Sequence, residues 1–332
     1  MRRKDTDYLH AAARTAYMEN KLITEDELVK AAGADSAAEA FRLLSGKGIF
    51  RGRSIERYEE AFEENLTEAY ALIEEMTQEL GLTYIFRYPI DGHNMKVMVK
   101  GRAAKGDFSE LYKSGGTVEA AVMAEEFDKG YFSHVPEALG EAGLDAADKL
   151  ARTRDPQEAA FVIDRAVVRL MSEKAEELAC GAVTEYVTVK IDYMNIGAAL
   201  RLLRMKADAY TAKAAFAQGG SFTVKELERA YTMGYEGVGR LAEGLAGSQG
   251  LVKAVDMIRR GGSMGLLRQH EDERIRGLFE KNRTVPFGIE PILTFLYLKE
   301  REIRGCRLLL TSKLFGIPTE QILERLRYIY AD

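Results

Sequence analysis

Val183-Thr184-Glu185-Tyr186-Val187-Thr188-Val189 is the stretch on which the fold turns. Read alone, it alternates and is rich in β-branched residues, the pattern of a strand. Leu82 through Tyr88 has the same flavour. Both segments align with a third, Leu293 through Glu302, where leucine, lysine and glutamate stand in place of valine and the reading is helix. Equivalent segments share one structure, so all three are assigned to helix and the chain is expected to be all-α. Tertiary packing is able to override local strand propensity in this way.

The alignment rests on one register. With Asp91, Asp192 and Glu302 in a column the offsets are 192 − 91 = 101 and 302 − 192 = 110, each about a third of the chain. Thr83, Thr184 and Thr294 then fall together, as do Asn94, Asn195 and Gly305, and Leu82, Val183 and Leu293. A period this long predicts a small helical bundle used three times, over residues 1–113, 114–218 and 219–332. The repeat positions Thr83, Asp91, Asn94, Thr184, Asp192, Asn195, Thr294 and Glu302 are read as structural. An asparagine inside an apolar segment bonds a neighbouring backbone and fixes register, and an aspartate near a helix start favours its dipole.

Working outward, helix starts are written as capping boxes at Thr24 with Glu27, Ser36 with Glu39, Asp155 with Glu158 and Thr223 with Glu226. From Ile55 to Leu80 apolar residues advance by threes and fours, which predicts a long helix with one buried stripe and a glutamate-rich outer face. A second long helix is expected from Asp155 to about Leu178, and a third through Leu266 to Phe279. Gln218-Gly219-Gly220-Ser221 and Gly261-Gly262-Ser263 read as turns.

Composition agrees with helix: six prolines in 332 residues, no tryptophan, 46% hydrophobic and 30% charged residues, too apolar for disorder. The formal net charge of -5, with cations spread among acids, points away from nucleic acid. No stretch approaches the roughly 18 apolar residues of a membrane span. Met1-Arg2-Arg3-Lys4 is followed by acids and not by an apolar run, so no signal peptide is read there. Cys180 and Cys306 form no metal-like pair and no disulfide framework.

Chemistry is sparse. Gly261-Gly262-Ser263-Met264-Gly265 matches a nucleophile elbow, but arginines precede it where a buried strand belongs, and His270 follows too closely. Gly46-Lys47-Gly48 lacks the rest of a phosphate loop and reads as a helix C-cap. The four histidines, His10, His93, His134 and His270, have no ligand spacing. No catalytic, cofactor-binding or metal-binding residue is expected. A peptide-binding adaptor of the solenoid type is an alternative, although such repeats run to about 30–50 residues. A hydrolase using Ser263 is another.

Tyr8 to Glu19 followed by Leu22-Ile23-Thr24, Tyr88 to Lys96, Asp192 through Lys206, Pro291 through Arg307 and Lys313 to Tyr330 occur in an order that resembles the C subunit of archaeal and bacterial V/A-type ATPases. Its counterpart in eukaryotic vacuolar ATPases is the d subunit. The resemblance implies a funnel-like part of three related helical domains around a pseudo-threefold axis. It would sit on the cytoplasmic face, with the rotor-ring proteolipid subunits and the central-shaft subunits as partners. It implies torque transmission for proton or sodium transport and no catalysis within the chain. Gly305, where a residue like Asn94 is expected, departs from the pattern.

Overall fold

The computed structural model describes residues 4–79, 81–282, 285 and 287–330. Met1-Arg2-Arg3 and Leu80, which figured in the sequence reading, lie outside the described residues. Helix takes in 77% of the chain, and among the described residues there is no strand, so the all-α assignment holds. The α-helices are, in order, α1 (Leu9–Glu19), α2 (Glu25–Ala32), α3 (Ala37–Ser45), α4 (Tyr58–Thr77), α5 (Gly81–Ala104), α6 (Ala120–Lys129), α7 (Glu137–Thr153) and α8 (Pro156–Leu178). They continue with α9 (Gly181–Met205), α10 (Ala209–Ala215), α11 (Val224–Thr232), α12 (Tyr235–Glu243), α13 (Ser248–Arg259), α14 (Gly265–Asn282), α15 (Glu290–Leu314) and α16 (Thr319–Tyr330).

Val183–Val189 lies wholly inside α9, and Leu82–Tyr88 inside α5. The reason is burial. Val183, Tyr186, Val187, Val189, Ile191, Ile196 and Leu200 are all buried, so α9 is covered on most of its circumference and strand-like composition costs it little.

Two of the four caps are full boxes. Thr24 and Glu27 satisfy each other's backbone, as do Thr223 and Glu226. Ser36 accepts from Glu39 N–H, but the Glu39 carboxylate turns to Asp35 N–H instead. Asp155 accepts from Gln157 N–H, with Pro156 at the first helical position. Gly46 caps α3, and Lys47 N–H returns to Leu44 O at 3.3 Å. The Gly261–Gly265 stretch is a turn between α13 and α14, where Ser263 Oγ accepts from Gly265 N–H.

The chain divides into two compact units, one of residues 81–274 and one of residues 1–80 with 275–332. In the discontinuous unit, α15 packs on α1, α2, α3 and α4, and α16 packs on α2 and α15. Its core joins Leu28, Leu44, Phe50 and Phe62 to Ile303, Leu309, Leu310 and Ile322, with the Phe41 and Phe50 rings stacked at 4.1 Å. Each such side chain contributes about 1.5–3 kcal/mol by leaving water. The glutamates of α4 are largely matched within the unit: Glu68 pairs with Arg51, Glu64 with Arg53, Glu60 with Arg57 and Glu59 with Arg307. In the continuous unit, α7 and α5 pack on α8, and α12 packs on α13. Phe86 of α5 stacks on Tyr186 of α9 at 5.4 Å.

The three longest helices end alike. Gly106 N–H returns to Gly101 O after α5, Ala207 N–H to Leu202 O after α9 and Ile317 N–H to Ser312 O after α15. Lys105, Lys206 and Gly316 take the left-handed conformation these Schellman ends require. Their spacings, 206 − 105 = 101 and 316 − 206 = 110, match those of Asp91, Asp192 and Glu302.

Candidate functional site

The recurrent polar positions lie in the interiors of α5, α9 and α15. Thr83, Asp91, Asn94, Asp192, Asn195, Thr294 and Glu302 are buried, whereas Thr184 is exposed. Thr184 and Thr294 each donate to the carbonyl four residues back, Cys180 and Glu290.

The acids and amides reach beyond their own helices. Asn94 takes both backbone groups of Lys113, donating to its carbonyl at 2.9 Å and accepting from its N–H at 2.8 Å. Asn195 does the same to Ala217, both at 2.9 Å. Four residues further along each linker an acid takes over. Asp91 Oδ2 accepts from Thr117 N–H at 3.1 Å and from its hydroxyl at 2.5 Å. Asp192 accepts from Ser221 N–H and from its hydroxyl, both at 2.7 Å. The next helices, α6 and α11, start three residues later, at Ala120 and Val224. One helix face thus fixes the return strap and aims the following helix.

In α15 the third acid has a different partner. Glu302 accepts from Ile23 N–H at 2.8 Å and from Lys299 Nζ at 2.7 Å. Ile23 precedes Thr24, the N-cap of α2, so this carboxylate also positions a helix start, across 279 residues of chain. Gly305 has no side chain to repeat the amide clamp.

Gly116 and Gly220 make the acid clamps possible. A Cβ on Gly116 would lie 2.2 Å from Asp91 Oδ1, and one on Gly220 2.4 Å from Asp192 Oδ1. Sequence reading missed the partners Thr117 and Ser221, although Gly115-Gly116-Thr117 and Gly219-Gly220-Ser221 carry the signal. Their spacing, 221 − 117 = 104, departs from the helix offset of 101 and hides it.

Burial pushes the Asp91 carboxyl up to about 6, against the hydrogen bonds from Thr117. Burial also raises Asp192, opposed by Ser221. Burial holds the His93 imidazole below its ordinary value, and its Nε2 donates to Leu111 O at 3.0 Å on the strap. His134 faces Glu126, which also accepts from Ser133 and from the N–H groups of Ser133, His134 and Val135 ahead of α7. His270 sits 2.9 Å from Glu273. Among the described residues no cluster of His, Cys, Asp or Glu has the form of a metal site. The hydrogen bonds of Asp91, Asn94, Asp192, Asn195, Glu302, His93 and Glu126 run to straps and to residues ahead of helix starts.

The model of the family described as the ATP synthase (C/AC39) subunit matches residues 11–325. The chain belongs to that family. Among its relatives is the C subunit of the V-type sodium ATPase of Enterococcus hirae, 22% identical over 322 residues, which cover 94% of this chain and 95% of the relative. Another is the C subunit of the V-type ATP synthase of Thermus thermophilus, 25% identical over 245 residues, or 70% of each chain. The family resemblance read from the order of short segments is borne out. For this C/AC39 protein, among the described residues, no helix is long and apolar enough to cross a membrane.

Proposed function

We propose that the chain is the non-catalytic connector of a V/A-type ATPase, seated on the rotor-ring proteolipid subunits at the cytoplasmic face and receiving the central-shaft subunits. It passes torque between them for proton or sodium transport. The observation that carries this reading is the family match over nearly the whole chain, together with relatives named as the C subunits of a V-type sodium ATPase and a V-type ATP synthase. The clamps support it physically. A part that transmits torque must not yield, and side-chain bonds from α5 and α9 hold the straps that follow them while one from α15 holds the start of α2. The recurrence of those clamps and of the Schellman ends supports three related helical units, outlined as residues 1–113, 114–218 and 219–332, around a pseudo-threefold axis. In this reading Thr83, Asp91, Asn94, Thr184, Asp192, Asn195, Thr294 and Glu302 are structural positions of the repeat.

The test is to compare purified ATPase complexes with and without this chain. Hydrolysis should persist while ATP-driven ion uptake into vesicles fails. Normal uptake without the chain would end the connector reading. Loss of hydrolysis with the catalytic head still assembled would point to regulation instead.

A further inference from the structure

In the discontinuous unit a slot of about 410 Å³ lies between the end of α1, the loop after α3, α4 and α15. Small-molecule sites span about 300–1,000 Å³, and the slot falls within that range. On α4 its wall runs from Asn65 to Glu75, which at 1.5 Å per residue is about 15 Å. α15 lies antiparallel to α4, since Tyr58 meets Thr311 and Tyr70 meets Glu300. Lys299, next to Glu300, therefore stands part-way along the slot, between Asn65 at one end and Glu75 at the other.

Two polar groups in the slot have bonding capacity left over. Lys299 is 13% exposed and gives one N–H to Glu302 at 2.7 Å, so the rest of its three N–H groups have no acceptor among the described residues. Asn65 gives its amide N–H groups to Ile49 O at 2.6 Å and Ala61 O at 2.9 Å, which leaves its Oδ1 an acceptor with no donor among them. Met18, Leu22, Leu72 and Phe295 supply the apolar part of the lining. Charge around the slot balances: Lys21, Arg51 and Lys299 stand against Glu68, Glu75 and Glu302, and Lys47 is matched by Glu27 at 3.2 Å.

We infer that the slot binds a free amino acid with an apolar side chain, its carboxylate on Lys299 and its ammonium on Asn65 Oδ1. A leftover donor and a leftover acceptor in one cavity call for a ligand with an acceptor and a donor of its own, and the apolar lining takes its side chain. Balanced charge selects against a phosphate or any other dianion, which would enter as uncompensated charge, whereas a zwitterion adds none. The bond from Lys299 to a carboxylate is charge-assisted, and partial burial strengthens it over the same bond in water. The slot is built from one compact unit alone and stands apart from the connector role.

The experiment titrates the purified full chain with L-phenylalanine in a calorimeter, beside hydrocinnamate, which lacks the amino group, and phenethylamine, which lacks the carboxylate. L-Phenylalanine should bind saturably, and each analogue at least tenfold more weakly. Lys299→Gln should weaken binding at least tenfold. Leu72→Trp fills the slot and leaves Asn65 and the Lys299–Glu302 pair in place, so it should abolish binding even where the Lys299 variant folds poorly. No saturable binding of L-phenylalanine, equal binding of either analogue, or unchanged binding in Leu72→Trp would overturn the amino-acid site. So would binding by the free chain that vanishes in the assembled ATPase, because the slot would then belong to a neighbouring subunit. The connector reading stands or falls separately, on the uptake assay.

Discussion

Asn195 holds Ala217 by its N–H and its carbonyl together, each at 2.9 Å, in a buried setting. A carboxamide supplies one donor and one acceptor in the spacing of a backbone pair, and no apolar residue replaces that. Asn195→Leu leaves both groups of a buried alanine unsatisfied, an expected cost of about 2–4 kcal/mol. Asn94→Leu should cost clearly less, because Lys113 is exposed and water can take over. Urea unfolding of the two variants at one pH checks the order.

Asp91 predicts a pH dependence with a definite sign. Its folded value of about 6 lies above the ordinary aspartate value of 3.8, so the folded chain binds the proton more tightly. The associated stability is fully present below the unfolded value and is lost as pH rises through about 6. The difference between wild type and Asp91→Asn should therefore shift by on the order of 2–3 kcal/mol between the two ends of that window. Thermal unfolding of both proteins across it measures the shift.

Gly220→Ala should be destabilising by about 1–3 kcal/mol, because its Cβ would meet Asp192 Oδ1 at 2.4 Å. Trimming the acid relieves the clash, so the pair with Asp192→Ala should lose less than the sum of the two single changes. Equilibrium unfolding of the four proteins of the cycle tests this, and additivity would show that the glycine is needed for something else.

Glu302→Ala strips Ile23 N–H of its acceptor and leaves the part-buried Lys299 without its partner. Breaking such a pair costs roughly 3–5 kcal/mol. Glu302→Gln keeps an acceptor for Ile23 and should lose less. Hydrogen exchange should show faster opening in α2 and α3 for both variants, and most for alanine.

The helical fold was legible because the third aligned segment, Leu293–Glu302, is rich in leucine and glutamate, and it outvoted the strand-like Val183–Val189. That stretch misleads when read alone because α9 is buried nearly all round, which removes the polar face a helical period needs. The helix side of the clamps was legible too, in the columns of Asp91 with Asp192 and Asn94 with Asn195. Their loop partners were not. Between Asp91 and Thr117 the chain takes 26 steps and between Asp192 and Ser221 it takes 29, so a rigid register steps past them. The partner of Glu302 was beyond reach of any local reading, since Ile23 belongs to the other end of the chain.

The discontinuous unit has a consequence for synthesis on the ribosome. Residues 81–274 are continuous and are complete in the nascent chain before α15 exists. By contrast, Leu28, Leu44, Phe50 and Phe62 are made first yet are covered by Ile303, Leu309 and Ile322, which are made last. At about 5–20 residues per second the interval between them is on the order of tens of seconds. Through that time the helices carrying Leu28, Leu44 and Phe62 expose apolar faces whose cover has not been translated, so this early segment is finished later than the continuous unit made after it.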